Sequence, residues 1–133
     1  MSLVFRSLHA APRPELLNEE WFVVENTGPG VINAMGCSLA VARGKGQRPS
    51  SIGVLTPGFV LQPGESIRLV TGTPSKKAQG TPPPEEGVRN YHLFLRERVL
   101  HHAGQVVSLQ LKQLDLGRAV YAPDAPGGVA PSA

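Results

Sequence analysis

The sequence predicts an all-β domain, a sandwich or a barrel, and three observations predict it. Short apolar runs of strand length recur along the 133 residues, clusters of turn residues separate them, and no stretch keeps a helical or heptad period. With 15 Gly and 13 Pro among those residues, punctuation is frequent enough for many strands and poorly suited to a helical bundle. The length fits one domain with one core.

The first run is Leu3–Leu8, with Val4, Arg6 and Leu8 expected on one side and Leu3, Phe5 and Ser7 on the other. Glu20–Asn26 follows, an aromatic and β-branched run that Asn26-Thr27-Gly28-Pro29-Gly30 stops. Further strands are expected at Gly36–Arg43, Ile52–Leu61, Ser66–Thr71, Tyr91–Leu95, Val99–His101, Gln105–Lys112 and Arg118–Tyr121. Pro63-Gly64 marks a turn, since Pro presets the first central φ and Gly accepts the positive φ of the second. Period-two patterning points Phe22, Val24, Leu39, Val41, Phe59, Leu61, Ile67, Leu69, Val107 and Leu109 inward. The Pro-rich insert Thr73–Gly87 is expected to be an exposed, mobile loop. The domain is expected to span residues 1–121, and the Pro/Gly/Ala-rich tail, 122–133, to be mobile.

Several function classes fall away on composition. A single cysteine, Cys37, leaves no intramolecular disulfide and no cysteine-based zinc site; within a strand it reads as a small buried core residue. No apolar run approaches the ~20 residues that span a bilayer, and the N-terminus lacks the basic and long apolar regions of a signal peptide. Cytoplasmic residence is therefore expected. A net charge of +3 is mild for this length, so nucleic acid is not the expected partner.

Beside these physical readings stands a family resemblance. Glu20-Trp21-Phe22-Val23-Val24-Glu25-Asn26-Thr27-Gly28, preceded by Val4–Leu8 and Pro12, resembles the opening of lamin tail domains. Gly36-Cys37-Ser38-Leu39 is similar to the family's next strand, and Val60-Leu61-Gln62-Pro63-Gly64 with Ser66–Gly72 to the one after it. Gly104, Val107-Ser108-Leu109, Gly117 and Tyr121 resemble its closing landmarks. The match runs in order along nearly the whole chain and departs at Val99–Gln105, where the family often has Trp and an Asn-rich turn. The resemblance implies an immunoglobulin-like β-sandwich of the lamin-tail type, a module that binds or assembles and carries no catalytic site.

The residues supply little for catalysis. Asp115 and Asp124 are the only two aspartates, and no nucleophile-elbow sequence is present. No enzyme activity and no cofactor are expected. His92, His101 and His102 read as solvated polar residues rather than a metal site, which normally needs three or four placed ligands. Arg43-Gly44-Lys45-Gly46-Gln47-Arg48 looks faintly like a phosphate loop, yet it lacks both the Gly-Lys-Ser/Thr ending and a following helix. With Lys76 and Lys77 it is a candidate polyanion-binding patch at one end of the sandwich, without the interleaved aromatics of single-strand binders.

The expected function is therefore a non-enzymatic interaction or assembly module that works through an exposed sheet face or edge strand. Its partner is expected to be another protein or a second copy of the chain, giving a homo-oligomer. The alternatives are a polyanion or nucleic-acid-associated module using the basic loops, or an accessory subunit of a larger complex. Trp21 and Val23, opposite the inward Phe22 and Val24, are candidate partner-binding residues, with Trp21 as anchor; Val99 and Leu100 are the others.

Overall fold

The computed structural model describes residues 2–131. Its strands, in chain order, are β1 (Leu3–His9), β2 (Trp21–Asn26), β3 (Ile32–Asn33), β4 (Ser38–Ala42), β5 (Ser50–Val54), β6 (Val60–Leu61), β7 (Ser66–Val70), β8 (Arg89–His92), β9 (Val106–Leu111) and β10 (Leu114–Val120). The first sheet has the order β1-β2-β7-β8 and the second β10-β9-β4-β5; β3 and β6 form a small third ladder. Every pairing is antiparallel except that of β7 with β8. Among the described residues, no helix is long and apolar enough to cross a membrane.

One apolar core fills the space between the two large sheets. Phe22, Val24, Ile67 and Leu69 enter it from the first sheet, Leu39, Val107 and Leu109 from the second, and Leu61 of β6 with the preceding Phe59 closes it. Val41 is half-buried and packs against the same cluster. The all-β, sandwich-like architecture expected from turn spacing is thus present.

Local details differ where backbone geometry overrides simple alternation. In β1 the register with β2 shifts between Phe5 and Ser7, a bulge that inserts one extra residue. Leu3, Phe5 and Leu8 therefore all face the core, whereas strict alternation puts Leu8 opposite the other two. The Ile52–Leu61 run is two strands, β5 and β6, parted at Pro57-Gly58, where Gly58 has φ +82°. Val99–His101 is not a strand: its amides bond to side chains of Glu20 and Gln105 rather than to a neighbouring strand. β10 begins at Leu114, four residues before the expected start, because Lys112 and Gln113 make a tight two-residue hairpin with β9.

The two segments expected to be mobile make specific hydrogen bonds to the rest of the domain. In the Pro-rich insert, a 3-10 turn forms at Lys77–Gln79, and the Asn18 amide donates to the carbonyls of Thr73 (2.9 Å) and Gly80 (3.2 Å). Further along, the Pro83 carbonyl accepts from the Asn90 side chain at 2.7 Å. The tail turns back on the domain: Val129 bridges Tyr121, and Ala130 N–H donates to the Val120 carbonyl at 3.0 Å. Its Gly127 and Gly128 sit so close to the Arg6 and Leu8 carbonyls that a Cβ at either position would collide with those oxygens. Residues 132–133 of the tail lie outside the described residues.

Candidate functional site

Glu20 is the most deeply placed charged group, fully buried at the start of β2. One carboxylate oxygen accepts from Thr71 Oγ1 (2.8 Å) and Val99 N–H (2.6 Å), and the other from Leu100 N–H (3.0 Å). Burial pushes the carboxyl above its ordinary range; the Val99, Leu100 and Thr71 hydrogen bonds and His101 pull in the opposite direction. Gln105 completes the arrangement, accepting from the His101 and His102 amides and donating to the Val99 carbonyl at 3.0 Å. Three structural donors take up most of its acceptor positions, so this carboxylate holds a loop in place. The sequence marks Glu20 only as the acidic residue opening the Glu20–Gly28 motif; its holding role is not marked, because a glutamate beside a strand normally reads as a solvated charge.

The same geometry corrects two expected partner-binding residues. Val99 and Leu100 are 4% and 2% exposed and belong to the core, since Glu20 draws their backbone inward. Trp21 and Val23 do lie on the outward face of the first sheet, and both are half-buried. Trp21 is covered by its own chain: the His9 ring stacks on it at 4.6 Å and 4°, and the Arg68 guanidinium lies 5.2 Å from the ring centre. Arg68 is itself held by the Asn90 side chain at 2.9 Å. This internal cation and aromatic stacking occupies the surface that the sequence offers as an anchor.

The basic loops leave the same end of the domain by topology but do not share a site. Gly44–Gln47 forms a turn closed by Gln47 N–H to the Gly44 carbonyl at 3.1 Å, with φ +77° at Gly46, the type II form that places Lys45 at the corner. This loop folds over the outward face of the second sheet, where Ala42, Ser108, Gln110, Asp115 and Arg118 line a depression of about 340 Å³ with Lys45. Arg48 lines a separate depression with Gln110 and Lys112, Arg43 is exposed, and Lys76 and Lys77 sit on the exposed turn that follows β7.

Strand order decides which sheet edges are open. The outer strands are β1 and β8 in one sheet and β10 and β5 in the other. β1 and β10 meet along a seam where Gly117 is so close to Leu3 that a Cβ would lie 2.5 Å from its carbonyl oxygen. The tail then covers both. β8 is screened by the Pro-rich loop, through Asn90 to Pro83 and Asn90 N–H to Glu85 at 2.8 Å. β5 has no such cover: among the described residues, Ser50–Val54 makes backbone hydrogen bonds to β4 alone. Ile52 and Val54 are 37% and 60% exposed on it, with no charge and no Pro from residue 50 to 54. Beside it, Ile52, Leu95 and Val41 line a groove of about 530 Å³ rimmed by Arg96, Arg98 and His101.

The remaining candidates are dispersed. His92 Nδ1 lies 3.1 Å from the Gly72 carbonyl, while His101 and His102 are exposed on the loop that Glu20 and Gln105 hold. Among the described residues, no group of three or more His, Cys, Asp or Glu is placed to hold a metal ion. Cys37 is fully buried, and burial pushes its thiol up from the ordinary range. Neither the protein-family models nor the curated proteins give a match to the chain.

Proposed function

We propose that the chain is a non-enzymatic assembly module of the lamin-tail, immunoglobulin-like type, and that it associates through β5. The observation that carries this reading is the asymmetry of the sheet edges. Among the described residues, three of the four outer strands are closed by a seam, a tail or a proline-rich loop, and the fourth is bare. An uncovered edge presents N–H and C=O groups that a further strand satisfies, and proteins that stay monomeric normally blunt such edges with charge or Pro. β5 carries neither; its one irregularity is the register shift with β4 at Ile52, and its exposed Val54 and Ile52 supply apolar contact area for an added strand. The occupant is a second copy of the chain, pairing β5 with β5 across a twofold axis. Such isologous pairing is the commonest route to a symmetric dimer.

The order of the sequence landmarks supports the family part of the reading. Gly117, one of those landmarks, sits where only a glycine fits against Leu3, and Pro63-Gly64 makes the turn into β7.

Sedimentation of the purified protein over a concentration series tests the proposal. The wild type is expected to move from monomer to dimer as concentration rises. Val54→Lys, at an exposed position where the fold tolerates charge, is expected to remain monomeric with an unchanged circular dichroism spectrum. A wild type that stays monomeric throughout, or a Val54→Lys variant that dimerises equally well, overturns it.

A further inference from the structure

We infer that the outward face of the second sheet, at the opposite side of that sheet from β5, is a binding site for a phosphate ester of nucleotide size. Two depressions of about 340 and 620 Å³ adjoin there, and Lys45, Arg118 and Val120 line both. The ridge between them is therefore cationic. Of the other charges nearby, Arg6 is paired with Glu25 at 2.8 Å, while Asp115 accepts from the neutral Gln110 amide at 2.8 Å and keeps its negative charge at the edge of the smaller depression. Among the described residues, no ion pair takes up Lys45 or Arg118.

The floor combines small and apolar groups with the polar side chains of Gln47, Gln110 and Asp115. Ala42 and Ser108 are buried at 5% and 3%, although both face outward, because the Gly44–Gln47 turn folds over them. Val106 and Val120, paired in register on β9 and β10, extend this floor along the sheet. Among the described residues, two cations outside any ion pair stand beside a shallow floor with an apolar part, Val106 and Val120, and a serine hydroxyl, which suits an oxyanion joined to a flat organic body. A bare inorganic anion leaves the floor unused, and an uncharged ligand leaves the cations unused. The volume of the smaller depression falls within the range of small-ligand pockets, about 300–1,000 Å³. The phosphate sits between Lys45 and the planar fork of Arg118, which matches phosphate oxygens two at a time. Its source is either a free mononucleotide or the phosphorylated end of a strand, which share this chemistry.

Calorimetric titration of the full chain tests the site with a nucleoside 5′-monophosphate and with a short single-stranded oligonucleotide, with and without a 5′-phosphate. Saturable binding of the monophosphate is expected, weakened about tenfold by either Lys45→Gln or Arg118→Gln. Both positions are exposed, so folding is preserved. The double variant Lys76→Gln, Lys77→Gln, on a different loop, is expected to bind like wild type. Tighter binding of the 5′-phosphorylated oligonucleotide than of its unphosphorylated form assigns the strand end as the source; equal binding of the two oligonucleotides, weaker than the monophosphate, assigns the free ester. The site is refuted by no saturable binding of any probe, by binding that survives in both single variants, or by equal loss in the Lys76, Lys77 control.

Discussion

Glu20 shows how a single residue sets the path of a distant loop. Its carboxylate gathers donors from Thr71, Val99 and Leu100, joining segments 51 to 80 residues away in sequence. Replacing it with Ala strands those donors in a dry site, and the expected loss is about 3 kcal/mol or more, measured by urea unfolding. The pH dependence follows from the direction of its shift. Burial holds the folded-state pKa above the ordinary value of 4.5, so the folded chain binds this proton more tightly than the unfolded one. The stability gained is complete below 4.5 and is lost as pH rises through the folded value. Glu20→Gln cannot titrate, so its urea midpoint is expected to lack that fall across a pH series begun below 4.5. A variant with the wild-type slope assigns the effect to another group. None of this was legible beforehand: Glu20 looks like any acidic residue entering a strand until Val99 and Leu100 are seen to lean on it.

At the scale of elements, periodicity found most of the sheet and missed two kinds of detail. The inward faces of β2, β7 and β9 follow alternation because both of their neighbours are paired strands and the core lies on one side. Alternation fails in β1, where the bulge before Ser7 resets the count, and bulges leave little trace in composition. The β9–β10 hairpin was invisible for a different reason. Its two turn residues, Lys112 and Gln113, have φ of +51° and +69°, as a type I′ turn requires, yet such turns favour Asn-Gly or Asp-Gly. A turn built from Lys and Gln does not announce itself. It also implies a gain: Gln113→Gly relieves the left-handed conformation, and a rise in stability of about 0.5–1 kcal/mol is expected in thermal unfolding. An unchanged or lower melting temperature would show that the Gln113 side chain has contacts that outweigh the backbone relief.

For the molecule as a whole, the tail acts as part of the domain. Its Val129 packs on the core, and its backbone bonds to Val120 and Ala122. Composition suggested a mobile appendage, because Pro, Gly and Ala bury little surface; here the glycines matter for the opposite reason, allowing the tail to lie directly on the β1 backbone. Deleting residues 123–133 is expected to cost about 2 kcal/mol, from lost hydrogen bonds and Val129 burial, and to unprotect the amides of β10 in hydrogen exchange. Retained protection there would make the tail a passive layer. The candidate sites divide along similar lines. Lys45 was legible as a turn cation, whereas Arg118 and Ser108 were not, because the outward face of a strand reads as ordinary solvated surface. The bare state of β5 depends on strand order, which no local pattern carries.

The seam between β1 and β10 also bears on how fast this chain reaches its fold. Leu3 and Gly117 touch although more than a hundred positions separate them, and the contact needs both sheets already in place. By contrast, β9 and β10 find each other across two residues. Closing a loop of the longer kind carries a large entropic cost before any contact rewards it, so the seam is the natural candidate for the last step to form. Until it forms, β1 and β10 join β5 as bare edges. The slow step in refolding is therefore also the interval in which two molecules are most prone to pair wrongly, and dilution should raise the yield of correctly folded protein.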